Sequence, residues 1–242
     1  MPILRPIRLF AASTALLLAF GTANASTLTL EFDTSFGDPS DPDTAPPDGA
    51  APWLTAVFDD SNTAGSVTLT MTVSANIGIA EITQVYFNLD DSMDAANLTI
   101  TRNAGSSTGP VENSIGQATD AFKAANDGFL DILIDLPPPG GDRFGAGEVL
   151  VYDITDIDNL ILASSFDFLS APDPGEANPT GPWVAAAKVS STGSNTVQCD
   201  SLNGPIGQCS DWIAPSPIPV PAAVWLFGSA LGLLGWMRRK TN

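Results

Sequence analysis

The run Ser66-Val67-Thr68-Leu69-Thr70-Met71-Thr72-Val73 alternates apolar and hydroxyl side chains without a break. A period of two puts Val67, Leu69, Met71 and Val73 on one face and the threonines on the other, which suits a half-buried strand of an antiparallel sheet. The pattern recurs in short pieces. Thr27 to Phe32 places Leu28, Leu30 and Phe32 on one face. Trp53 to Phe58, Ile82 to Leu89, Leu98 to Arg102, Phe129 to Asp135, Glu148 to Ile154 and Val184 to Val189 are further strand candidates. Turn chemistry separates them, as in Asp59-Asp60-Ser61-Asn62, Gly105-Ser106-Ser107, Pro137-Pro138-Pro139-Gly140-Gly141 and Asp173-Pro174-Gly175. Long amphipathic helices are absent; one short helix is expected near Ile157 to Ser164, where the two-residue period is lost. Residues 37–52 are rich in Pro, Asp and Gly and read as a surface loop. Many short strands with this punctuation predict an all-β fold, an antiparallel two-sheet β-sandwich or jelly roll.

The two ends do not belong to that domain. Arg5 and Arg8 precede an apolar stretch from Leu9 to Phe20, and Ala23-Asn24-Ala25 is a small-x-small cleavage site. Residues 1–25 therefore read as a secretory signal peptide, cut so that the mature chain begins at Ser26; the alternative is an uncleaved N-terminal anchor. At the other end, Ala222 to Met237 is an apolar run of 16 residues, followed by Arg238-Arg239-Lys240. As a helix it spans about 24 Å, short of the roughly 30 Å of a bilayer core. Adding Ile218 to Pro221 brings it near that length, but the prolines weaken the first turn. The basic cluster stops transfer and stays cytoplasmic, leaving the body outside. The expected layout is a signal peptide over 1–25, an ectodomain over 26–214 and a C-terminal signal over 215–242, with a helix at each end.

Charge and cysteine content narrow the function. All 27 acidic residues lie between the two terminal segments, against only Arg102, Lys123, Arg143 and Lys188, a formal charge of −23 on the body. Such a surface repels nucleic acid and anionic lipid, and it suits solubility outside the cell. Cys199 and Cys209 are the only cysteines. In an oxidising compartment a pair so close is expected to form a disulfide, worth about 3 kcal/mol by the chain-entropy argument.

The motif Ile218-Pro219-Val220-Pro221-Ala222, with its Gly/Leu-rich span and Arg-Arg-Lys ending, resembles the PEP-CTERM sorting signal of Gram-negative bacteria. It is similar in particular to the variant whose motif is Val-Pro-Leu-Pro-Ala, with Ile218 and Val220 in place of that Val and Leu. The stretch from Ala222 to Ser229 carries the same likeness. The resemblance implies recognition by exosortase, a membrane cysteine transpeptidase, at Pro219, Val220, Pro221 and Ala222, with a cut near the motif. The proline pattern agrees, since it keeps the motif extended and out of the helix; the alternative is a plain single-pass anchor. Within the body, Val85 to Leu89, Gly128 to Leu133, Asp142 to Glu148, Phe166 to Ser170 and Ala185 to Val189 look like blocks of a recurrent ectodomain of such proteins. That family commonly has His where this chain has Lys188, and it carries over no activity.

No histidine is present, which disfavours triads and metallohydrolase chemistry. A carboxylate pair is the remaining enzymatic option. Asp131 and Asp135 share a strand face but stand roughly 13 Å apart, too far for a retaining glycosidase pair. Calcium is the candidate metal: Asp153, Asp156 and Asp158 cluster, as do Asp38, Asp41 and Asp43 and also Asp90, Asp91 and Asp94, though none has the Gly and distal Glu of an EF-hand. Solvated turn aspartates are the plainer reading. Trp53, Trp183 and Trp212 are candidates for stacking on sugars, or else core residues. Together these readings predict no enzyme and no obligatory cofactor, but an exported cell-surface or extracellular-matrix protein with a structural or interaction role. It is held in the inner membrane by its C-terminal helix until an exosortase-type partner processes it. The alternatives are a calcium-stabilised carbohydrate-binding module acting on a polysaccharide and a membrane-anchored glycosidase.

Overall fold

A computed structural model describes residues 26–37, 44–106, 109–125, 128–137, 143–158, 160–175, 181–192 and 209–216. Ten strands run in chain order: β1 (Thr27–Ser35), β2 (Leu54–Asp59), β3 (Ser66–Val73), β4 (Glu81–Phe87), β5 (Leu98–Arg102), β6 (Ser114–Lys123), β7 (Phe129–Asp135), β8 (Val149–Asp156), β9 (Ala185–Thr192) and β10 (Cys209–Pro215). They form one sheet in the order β5-β8-β3-β2-β1-β10-β9-β4-β7-β6, antiparallel at every pairing.

The all-β antiparallel class is as expected, but the two-sheet sandwich is not what forms. A single sheet curls round one interior until it is nearly a closed barrel. Its two edge strands approach where Gln117 Nε2 on β6 donates to the Leu98 carbonyl on β5 at 3.4 Å. Register shifts in β1, β4, β6 and β10 bend the strands on one half of the sheet, and such bulges add twist and coil. Sandwich and barrel both bury one face of every strand, so period-two patterning does not separate them.

The interior follows the alternation. Leu30 and Phe32 of β1, Val67, Leu69 and Met71 of β3, and Val85 and Phe87 of β4 point inward and are buried. Phe58 is the hinge of an aromatic trio, stacked on Phe166 at 4.1 Å and set edge-on to Phe87 at 5.1 Å. Trp53 belongs to this core, which removes it as an exposed stacking candidate. The expected helix near Ile157 to Ser164 is instead a single 3-10 turn, Ala163–Phe166. Ile157, Leu160 and Leu162 of that stretch are exposed rather than packed, so no apolar face holds a longer helix. Among the described residues no helix is long and apolar enough to cross a membrane. The signal segment and the C-terminal helix fall outside the described residues, as do Ala23, Ala25, Ile218 to Ala222 and Arg238 to Lys240.

β6 and β10 lie outside the strand candidates. β6 is an edge strand with no buried residue, and its register breaks between Gln117 and Phe122, so neither face shows a clean apolar period. β10 sits mid-sheet between β1 and β9, yet its sequence carries Ser210, Asp211 and Pro215. Asp211 is 1% exposed and accepts from Ser35 Oγ at 2.6 Å, Trp212 N at 2.8 Å and Gly37 N at 3.1 Å. Those donors are what make a buried carboxylate tolerable there.

Candidate site on the outer face of the sheet

The outer face is not uniformly solvated. Tyr86 alternates with inward Val85 and Phe87, and Ala186 with inward Ala185 and Ala187, so both face outward. There they join Phe36, Leu130 and Ala214 in a second apolar cluster, against which Trp183, Trp212, Leu133 and Phe122 pack. Phe36 lies 5.3 Å from Trp183 and 6.2 Å from Trp212, and Tyr86 lies 5.6 Å from Trp212. Trp183 and Trp212 are thus partly buried aromatic walls, not interior core.

Beside this cluster a row of polar side chains crosses four strands. Register places Trp212 of β10 beside Lys188 of β9, Lys188 beside Gln84 of β4, and Gln84 beside Asp135 of β7. The Tyr86 hydroxyl donates to Gln84 Oε1 at 2.9 Å, and Gln84 Nε2 donates to Asp135 Oδ1 at 3.1 Å. Asn113, just before β6, donates through Nδ2 to Asp135 Oδ2 at 3.3 Å and to the Leu136 carbonyl at 3.0 Å. Burial first, and then the negative charge of Asp135, push the Tyr86 hydroxyl up to about 12, so it remains a proton donor. Gln84, Asn113, Asp135 and Lys188 open onto a pocket of about 320 Å³, completed by Thr83, Leu136 and Ser190.

Lys188 is set apart by its charge environment. Arg102 pairs with Glu112, Lys123 with Asp173 and Arg143 with Glu81. No carboxylate among the described residues pairs with Lys188, whose Nζ lies 5.9 Å from the centre of the Trp212 ring. A cation over an indole face is a modest attraction. It holds the ammonium at the pocket wall without consuming its three donors.

The other candidate groups are placed differently. Asp131 is 4% exposed and accepts from Leu89 N at 2.8 Å and Asp120 N at 2.6 Å, so it fixes backbone while Asp135 faces the pocket. Burial raises the Asp131 carboxyl despite those two donors. Among the described residues Asp135 is the one carboxylate lining the pocket, with no second beside it as a glycosidase would require. The calcium candidates are not gathered: Asp153 bonds to Asn103 and Thr68, while Asp156, three residues on, is buried and caps the turn at Asp158 N. Asp90 and Asp94 likewise accept from Ser92 N and Ala96 N in turns. Asp38, Asp41 and Asp43 fall outside the described residues, among which no group of three carboxylate, Cys or His ligands could hold a metal. Gln84 and Asn113 escaped the sequence reading. Lys188 carried the one available signal, as one of four cations in an acidic body.

Fold and site define an all-β, single-sheet, near-barrel protein with a polar pocket on its outer face beside an aromatic cluster. No family model, curated protein or solved structure matches the chain, so the reading of the site rests on its geometry.

Proposed function

We propose that this is an exported cell-surface or matrix protein with a structural or interaction role, delivered by a signal peptide and released from a C-terminal sorting tail by an exosortase-type transpeptidase. Its flanking segments act as transient helices, one before Ser26 and one over Ala222 to Met237. The observation that carries the reading is that the fold is tied off at both proposed processing boundaries. Ser26 N donates to Asp60 Oδ1 at 2.6 Å and Ser26 Oγ to Asp60 Oδ2 at 2.8 Å. Ser216 N and Oγ donate to Asp33 Oδ1 at 2.9 and 2.6 Å, and Ser216 Oγ also meets Thr34 Oγ1 at 2.9 Å. The ten described strands all lie between these two clamps, so loss of either flank removes none of them. Cys209, 1% exposed and not a free thiol, fits the proposed Cys199–Cys209 disulfide, whose other half falls outside the described residues.

Deleting residues 218–242 tests the sorting role. The expected result is loss of cell association and release of the body to the medium. Cell association unchanged by the deletion would contradict it.

A further inference from the structure

The outer-face pocket has the chemistry of a binding site, not of a packing defect. We propose that the row Trp212–Lys188–Gln84–Asp135, with Asn113, is a subsite for a neutral saccharide. Lys188 donates to one hydroxyl of a sugar's vicinal diol, and Asp135 accepts from the next.

Three features lead to this class of ligand. First, Lys188 and Asp135 both line the pocket but form no ion pair, so an ammonium donor and a carboxylate acceptor stand open together. A hydroxyl group is both donor and acceptor, and a pair of adjacent hydroxyls satisfies both at once. Second, the acceptor is oriented in advance. Asp135 is held by Gln84 Nε2 and Asn113 Nδ2, and Gln84 is itself held by the Tyr86 hydroxyl. Such fixed polar groups bind without ordering cost of their own. Third, the row ends at an aromatic wall, the partly buried Trp212 beside Lys188, with the buried Tyr86 packed behind it at 5.6 Å. A sugar ring carries an apolar C–H face that packs on such a wall while its hydroxyls reach the polar row.

The charges exclude the competitors. Lys188 repels a metal ion from the lone carboxylate, and a single Asp is too few ligands for calcium. A polyanion meets both Asp135 and the body's −23 formal charge, which Lys188 alone does not offset. A neutral polyhydroxylated ligand meets neither obstacle. The pocket-lining residues are not among those that form the two boundary clamps, so the inference stands or falls apart from the sorting tail.

The test uses the full chain purified in detergent, whatever the state of its tail. It is applied to an array of neutral gluco-, galacto- and manno-oligosaccharides, with uronic-acid oligomers as the contrast, and hits are followed by titration calorimetry. The wild type is expected to bind at least one neutral oligomer. Lys188→Met and Asp135→Asn should each weaken it about tenfold or more, as the loss of a charged hydrogen bond implies. If either variant fails to fold, Asn113→Ala, at an exposed position, is expected to weaken the same oligomer severalfold. Saturation transfer from aromatic protein resonances to the sugar's ring protons gives a variant-free readout. Binding of no neutral oligomer at millimolar concentration would overturn the inference. So would binding of uronates alone, or affinity unchanged in the folded variants.

Discussion

Cleavage before Ser26 would turn a backbone amide into an ammonium group at a waiting carboxylate. In the fold, Asp60 accepts from Ser26 N at 2.6 Å, Ser26 Oγ at 2.8 Å and Ala163 N at 3.0 Å. Burial works against its charged form, but the Ser26 and Ala163 donors prevail and hold the carboxyl below its ordinary 3.8. Replacing Asp60 by Asn in the mature protein keeps the shape and removes the charge. A charge-assisted hydrogen bond contributes about 1.5–3 kcal/mol, and the partial exposure of Asp60 discounts this to about 1–2 kcal/mol. For a domain of this size that is a fall in Tm of about 2–8 °C. The sign with pH is specific. Asp60 is depressed in the fold, so its contribution is present above 3.8 and is lost as pH falls through the folded value. The ammonium's contribution is present in neutral solution and fades as pH rises through about 8, where an α-amino group loses its proton. Thermal melts of wild type and Asp60→Asn at about pH 6.5 and about pH 10 separate the terms, because other titrations cancel in the difference. The difference should shrink at the higher pH. An equal difference at both values would show that no ammonium group sits at Asp60, since an amide at Ser26 has no proton to lose there.

Other expectations follow from single contacts. Phe166→Ala empties a fully buried ring position stacked on Phe58 and should cost about 3–5 kcal/mol in urea unfolding; a loss under about 1 kcal/mol would contradict the packing. Burial raises the Asp211 carboxyl, with the Ser35, Trp212 and Gly37 donors only partly offsetting it. Its contribution is therefore full below 3.8 and lost as pH rises through the folded value. Asp211→Asn should flatten that part of the stability curve, and an unaltered curve would show that the carboxylate's burial is not what shapes it. Reduction of the proposed Cys199–Cys209 bridge should lower stability by about 3 kcal/mol. Alkylation of the unreduced protein at either cysteine would disprove the bridge.

Strands were legible wherever both faces kept their character. The Ser66 to Val73 candidate coincides with β3, because partners on both sides keep one face inward along its whole length. The β7 candidate also has the observed bounds. Yet its alternation did not show that Asp131 is buried and held by two backbone donors while Asp135 faces a pocket. β6 was hidden because an edge strand with a bulge buries nothing, and β10 because its polar residues are satisfied only by distant partners such as Ser35. The number of sheets was not legible, since curling depends on bulges and register, not on which residues are apolar. Trp183, Trp212 and Asp135 stood out from their chemistry, and Lys188 only as one of four cations in the body. Gln84 and Asn113 did not, because only the cross-strand register brings them to Asp135.

Export and processing at both ends are read out together by the intact mass of the protein recovered from the envelope and medium of an exosortase-bearing Gram-negative host. The expected product begins at Ser26, ends within or next to Ile218 to Ala222, and is lighter by the two hydrogens of a disulfide. A mass that still includes residues 1–25 or residues 223–242 would contradict it.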